Sequence, residues 1–341
     1  MRLGNGVFAS WRNIFSAAGR MPALTQIRVF PDMFPPMMSP ETDHRDTHME
    51  IAFHIGANCT DEERLLKSVL RNAAALLADG IVVPGPSKYR RLLRETIQGL
   101  DGAPPKPGTR DILLDAIVEE DDVDRVVMSN DNFIAIPRRI FDDGVFYPQT
   151  ETKVRTLARL FPKDDLSLFV GLRHPASFLQ EVARSAEAPR LRDFLGTLSP
   201  LELRWSGIIR RIRNVAPQAQ IHVWCNEDTP IIWEDLIRLF SGAFPQTPLA
   251  GGLDIAAHVL TPEGFAALQA DLSARPNIDR VARHEAIAAA VETHAKPGAM
   301  EDEIIYPEIG ARLIDAMTEL YDEDIALIDD MEGVNLILPF R

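Results

Sequence analysis

A three-layer α/β fold, with a central, mainly parallel sheet and a helical C-terminal part, is what this sequence predicts. Three observations carry it. From residue 49 to about 245, short apolar runs alternate with segments of helical spacing, the pattern of βα units whose helices cover both faces of a parallel sheet. The run 166–172, Leu-Ser-Leu-Phe-Val-Gly-Leu, is almost continuously apolar, as a strand buried on both faces must be. From about 254 the spacing is helical to the end, apart from 334–338.

Residues 1–48 carry Arg2, Arg12, Arg20 and Arg28 and five prolines without sustained periodicity. They read as a disordered leader or an extension of the gene model. No apolar run follows the early arginine, which speaks against a secretory signal, while a positively charged presequence stays open. The next segment reads as a strand starting at a methionine, which makes Met49 a candidate start. The expected organisation is then an α/β domain over 49–250 and a helical extension, 251–341, packed on it.

The first strand, 51–55, is bounded by Gly56. Over 61–79, Leu65, Leu66, Val69, Leu70, Ala73, Leu76 and Leu77 share one broad helical face, and Gly80 closes that helix. A strand at 81–83 stops at Pro84. Helices follow near 87–99 and 108–119, with the Pro/Gly-rich stretch 102–108 between them. Then come a strand at 126–129, a helix near 150–160, the strand at 166–172, helices near 175–185 and 199–214, a strand at 221–225 and a helix near 231–242. Residues 301–332 are strongly acidic, with Arg312 their only base, and read as a solvated helical face.

Composition narrows the function. Of 341 residues, 46% are hydrophobic and 25% charged, enough for a sizeable core. A net charge of −14 argues against non-specific nucleic-acid or anionic-membrane binding. No window approaches 18 uninterrupted apolar residues, so no membrane span is expected. Cys59 and Cys225 form neither a disulfide framework nor a zinc motif, a usage that suits a reducing cytoplasm. A small molecule or a protein is left as the partner, and no metal site is expected.

Ligands of open α/β sheets sit at the carboxyl ends of strands, with phosphates on helix N-termini. The first such junction reads His54-Ile55-Gly56-Ala57-Asn58-Cys59-Thr60-Asp61-Glu62-Glu63. Thr60 is placed as an N-cap and Glu63, three residues on, completes a capping box. Asp61 and Glu62 add negative charge to the same turn and offset the positive end of the helix dipole. Each carboxylate about 4 Å from a phosphate would oppose it by roughly 4 kcal/mol at an effective dielectric of 20. A well-capped helix is the favoured reading here, ahead of a metal site built from the three acids.

The segment 51–83 resembles the opening of bacterial P-loop sulfotransferases. Their first strand ends in His-Ile-Gly, followed by a Lys-Thr-Gly-Thr-Thr loop and a helix. His54-Ile55-Gly56 stands as in that family, and Asn72 and Gly80-Ile81 fall where similar residues are expected. The family lysine, which holds the transferred sulfuryl group, falls at Cys59. Thr60 matches the first threonine, and Gly-Thr-Thr corresponds to Asp61, Glu62 and Glu63. Residues 126–133 are similar to the strand ending in Ser-Ser-Glu, with Asp131 near the acidic position. Residues 168–175 are similar to the strand and Arg-x-Pro that bind the donor's 3′-phosphate, with Arg173 as the arginine. The serine eight residues on is Glu181, and Ser185 is out of register. Residues 221–236 are similar to a later strand and helix, with Glu227 and Asp228 matching its Glu-Asp.

The resemblance, over roughly 49–245, implies a P-loop NTPase/sulfotransferase-like fold. It places Thr60 and Arg173 at the cofactor position and Asp131 as a catalytic base. The frame is kept and the phosphosulfate cradle is not. No cofactor is therefore expected, and 3′-phosphoadenosine 5′-phosphosulfate only where the family activity is retained.

The residues support blander readings beside these. Arg173 suits a phosphate and equally an ion pair with a neighbouring carboxylate. Asp131 sits in an Asx-rich turn, and His54 reads as a satisfied core residue. Lys88, Arg90, Arg91 and Arg94 form a basic helix face with partners such as Glu95. Trp205, Trp224 and Trp233 read as packing. Cys59 and Cys225 lie near strand ends and could approach across the cleft, although acids beside Cys59 disfavour its thiolate. Three readings follow: a sulfotransferase-like protein without transfer activity, an active transferase holding its donor through Arg173, the Lys88 to Arg94 cluster and Asp131, or an interaction protein using its acidic C-terminal part.

Overall fold

The computed structural model describes residues 48–341, so the 1–48 leader and any presequence lie, but for His48, outside the described residues. Six strands form one parallel sheet: β1 (Glu50–Gly56), β2 (Ile81–Val82), β3 (Arg125–Ser129), β4 (Asp165–Leu172), β5 (Gln220–Cys225) and β6 (Val334–Ile337), in the order β2-β3-β1-β4-β5-β6. Every pairing within this sheet is parallel, where the sequence predicted a mainly parallel sheet. Parallel neighbours need crossovers. These are supplied by α1 (Arg64–Arg71), α2 (Ala73–Leu77), α3 (Pro86–Leu100), α4 (Thr109–Ile117), α5 (Thr150–Leu160), α6 (Pro175–Ser185), α7 (Leu191–Leu195), α8 (Trp205–Val215), α9 (Thr229–Ser241), α10 (Asp254–Val259), α11 (Pro262–Ala274), α12 (Arg280–His294) and α13 (Ala311–Asp329).

The two-residue alternation of β1 divides the core. Ile51, Phe53 and Ile55 face one cluster with Val126, Met128, Leu168 and Val170. Ala52 faces the other with Val127, Phe169 and Trp224. The larger cluster lies under α3–α6, α8 and α13, and the smaller under α1, α9, α11 and α12. All of these are nearly inaccessible, and each large side chain so buried contributes about 2 kcal/mol. Trp205, Trp224 and Trp233 belong to this packing. At the sheet centre the fit is close: a Cβ at Gly171 would stand 3.0 Å from the Trp224 ring.

Three predicted elements are corrected. The helix over 61–79 begins only at Arg64 and breaks at Asn72. Its amide donates to Ser68 O (2.8 Å) and Ala250 O (3.0 Å) and accepts from Ala250 N (2.8 Å), so this side chain leaves the helix to pin the chain near 250. The helix over 199–214 is a single turn, Pro200–Glu202, followed by α8. Ser199 and Glu202 do form a capping box, but Arg204 is extended (φ −112°) and restarts the helix. The acidic stretch is helical only from Ala311, and α13 buries Ile314, Met317, Tyr321, Asp324 and Ile328. It is an amphipathic packed helix more than a solvated face. Among the described residues no helix is long and apolar enough to cross a membrane.

Asp324 shows how α13 is held. It is 1% exposed and accepts from Ser206 N (3.0 Å) and Arg204 Nε (3.1 Å) at the start of α8. Truncation would leave a buried amide and a guanidinium without their acceptor. Asp324→Ala should lower stability by about 3 kcal/mol in urea unfolding, and a change below roughly 0.5 kcal/mol would refute this clamp.

Candidate functional site

The strand order fixes where a crevice opens. The chain leaves β1 toward β2 on one side and leaves β4 toward β5 on the other. The connections diverge between these two neighbours, and ligands of open sheets bind at such a point. Two adjoining hollows lie here, of about 190 and 140 Å³. Arg64, Arg173, Asn226 and Thr229 line both.

The β1–α1 loop is closed by its own bonds. Ala57 N donates to Gly171 O (2.9 Å), and Asn58 is held by Tyr147, Asn132 and Ala135. The expected capping box does not form: Thr60 Oγ1 donates back to Ala57 O (2.9 Å), and the side chain serving α1 is Asp61, which accepts from Leu65 N at 2.8 Å. Glu63 instead pairs with Arg90 (2.5 Å), and Glu62 with Arg64 (3.2 Å). Glu63 cannot cap because it occupies the left-handed region (φ 63°), as do Glu62 (51°) and Cys59 (56°), a conformation costing non-glycine residues about 1–2 kcal/mol. Sequence spacing carries no trace of these dihedrals.

Arg173, at the end of β4, is ion-paired. Its Nη2 donates to both oxygens of Asp302 (3.0 Å each), and its Nη1 to Cys59 O (2.7 Å). Trp205 Nε1 donates to the Arg173 carbonyl (2.9 Å). The partner carboxylate comes from the connection between α12 and α13, within a stretch that sequence reading treated as solvated. Next to it, Glu227 accepts from His174 N (2.6 Å) and Tyr321 OH (3.3 Å), and burial raises its carboxyl above the usual range, an effect that Arg173 reduces.

The other predicted residues are dispersed. Asp131 follows β3 and lies beside the β1–α1 loop, with its carbonyl oxygen 3.5 Å from where a Gly56 Cβ would be, and does not line either hollow. Its carboxylate accepts from Asn132 Nδ2 (2.9 Å), while Asn130 closes the turn onto Asn132 N (3.2 Å). Burial raises the Asp131 carboxyl. His54 is a core residue, 0% exposed, with Nδ1 3.0 Å from Ser129 Oγ and its ring against Trp224 and Phe240. The basic cluster is largely paired: Lys88 with Glu119 (3.0 Å), Arg91 with Glu95 (2.7 Å), and Arg90 with Glu63 and Ser129 O. Among the described residues no group of three or more His, Cys, Asp or Glu is placed to hold a metal.

The two cysteines are separate free thiols, Cys59 near Ser185 and Cys225 near Tyr321. Cys59 is pushed up to about 11, first by burial and then by Glu181 and Asp131. The direction is the expected one, but these acids are not the loop neighbours that sequence reasoning held responsible. Ser185, out of register in the chain, is brought to Cys59 because α6 returns along the loop. Asp302 and Arg64 escaped the sequence reading, since neither sits in a motif and only folding places them on one cleft.

These features define a parallel-sheet α/β protein with a mixed-charge cleft between β1 and β4. No family model and no curated protein matches the chain. Among solved structures it is similar to the crystal structure of a sulfotransferase from Alicyclobacillus acidocaldarius, at 15% identity and a TM-score of 0.36, over 72% of this chain and 96% of that one.

His174 gives the cleft a pH signature. Its Nδ1 accepts from Ala176 N (3.3 Å), its Nε2 lies 2.9 Å from Thr318 Oγ1, and burial lowers it to about 4, with Asp302 opposing the shift. The unfolded chain takes up this proton near the ordinary 6.5. The stability of the neutral ring is therefore full above about 6.5 and drains as pH falls toward 4. His174→Asn keeps an N-cap acceptor without the titration. It should show a shallower loss of urea stability from pH 6.5 to 4, and parallel curves for the two proteins would contradict this.

Proposed function

We propose that this is a sulfotransferase-like protein that does not hold 3′-phosphoadenosine 5′-phosphosulfate and has no sulfuryl-transfer activity, its β1–β4 cleft serving a different small ligand. One observation carries the reading: both terminal nitrogens of the Arg173 guanidinium are engaged, Nη2 by the Asp302 carboxylate and Nη1 by Cys59 O. A donor phosphate would have to displace a two-point charged contact, and hydrogen bonds to charged groups contribute about 1.5–3 kcal/mol each. It would also meet Asp61 and Glu62 on the cleft wall, where a cradle needs bare amides and a cation.

The rival readings find less support. For an active transferase, Asp131 is outside the cleft and the basic helix face is mostly spent on ion pairs. For an interaction protein built on the acidic C-terminal part, the inner face of α13 is already committed to α6 and α8. Calorimetry with adenosine 3′,5′-bisphosphate tests the proposal. The wild-type chain should give no binding heat up to millimolar ligand, whereas micromolar binding abolished by Arg173→Ala would overturn it.

A further inference from the structure

Most acids around the cleft are taken by a cation or a helix amide. Asp302 is paired with Arg173, Glu62 with Arg64 (3.2 Å) and Asp61 with Leu65 N (2.8 Å). Glu227 differs. It lines the larger hollow, and among the described residues its hydrogen bonds come from neutral donors, His174 N (2.6 Å) and Tyr321 OH (3.3 Å). Burial raises its carboxyl, because an ionised group with no cation in contact is costly away from water. Ser177 is a second, independent sign. It lies three residues past His174, on the same side of α6, is 3% exposed and lines the same hollow. Among the described residues nothing is hydrogen-bonded to its hydroxyl. Buried hydroxyls are as a rule paired, so this one points to a group that enters from the hollow.

We propose that this hollow binds a small organic ammonium ion, its charged head on Glu227 and Ser177 and its apolar body against Ile255, Val259 and Met300. This rests on the reading above, in which the cleft serves a ligand other than the phosphosulfate donor, and gives that ligand a chemical class. A primary ammonium has three N–H donors and no acceptor. The Glu227 carboxylate, Ser177 Oγ and the amide oxygen of Asn226, all on this wall, match that set. Ile255, Val259 and Met300 line the same hollow and suit a hydrocarbon body. Helices α6 and α9 both begin here, and the positive ends of their dipoles oppose a cation. Glu227 offsets both, since it accepts from the N-cap amide of α6 and stands two residues before Thr229, where α9 begins. At about 190 Å³ the hollow is smaller than the sites of drug-sized ligands, roughly 300–1,000 Å³. A short alkyl or single-ring amine fits that space.

The test uses the full chain, with benzylamine as probe and benzyl alcohol as its uncharged counterpart. By calorimetry the wild type should bind benzylamine with a Kd of about 1 mM or below, and benzyl alcohol about tenfold more weakly or worse. Glu227→Gln keeps an acceptor for His174 N and removes the charge, and it should lose about tenfold or more in amine affinity. Equal affinity for the two probes, an unchanged Glu227→Gln, or no amine binding at roughly 10 mM would overturn the proposal. Should Glu227→Gln fail to fold, Ser177→Ala decides: amine binding about threefold weaker or more supports the site, and unchanged affinity refutes it. Micromolar binding of adenosine 3′,5′-bisphosphate would defeat the earlier reading alone, leaving the benzylamine result to judge this one.

Discussion

Three segments distant in sequence converge on one arginine. The loop after β1 gives Arg173 its Cys59 carbonyl, the α12–α13 connection gives Asp302, and the first turn of α8 anchors on the Arg173 carbonyl through Trp205. The planar fork of arginine makes this possible, since it donates in two directions at once. The same positive charge lowers the cost of neighbouring groups, favouring the ionised forms of Cys59 and Glu227 against burial. The cleft's shape and its charge balance therefore have a common origin.

Around that centre, acids and bases are matched locally. Asp61 serves the Leu65 amide, Glu62 faces Arg64, Glu63 reaches Arg90, and Asp302 holds Arg173. A helix start carrying three consecutive carboxylates is tolerable because each has its own donor. Exposed pairs such as Glu62 with Arg64 contribute little to stability. What they do set is the charge of the cleft wall, where Asp61 and Glu62 stand beside Arg64 and Arg173.

The fold was readable at the level of element type. The strands at 166–172 and 221–225 and the helices at 150–160 and 175–185 lie within a residue or so of their positions in the structure, because long apolar periodicity reports burial directly. The breaks at Asn72 and Arg204 were not readable. Each depends on a bond or dihedral that leaves the hydrophobic pattern on either side unchanged, and Asn72 is drawn out of its helix by a contact with Ala250.

By itself, the sequence determined the parallel α/β architecture, the presence of acids where a phosphate loop would place small residues, and the position of an arginine at the end of β4. These follow from residue type and local periodicity, which act along the chain. Only the tertiary structure decided that Glu63 turns to Arg90, that Asp61 caps α1, and that Asp302 occupies Arg173. A charged side chain takes the nearest partner in space, and that distance is set by the packing of elements far apart in sequence.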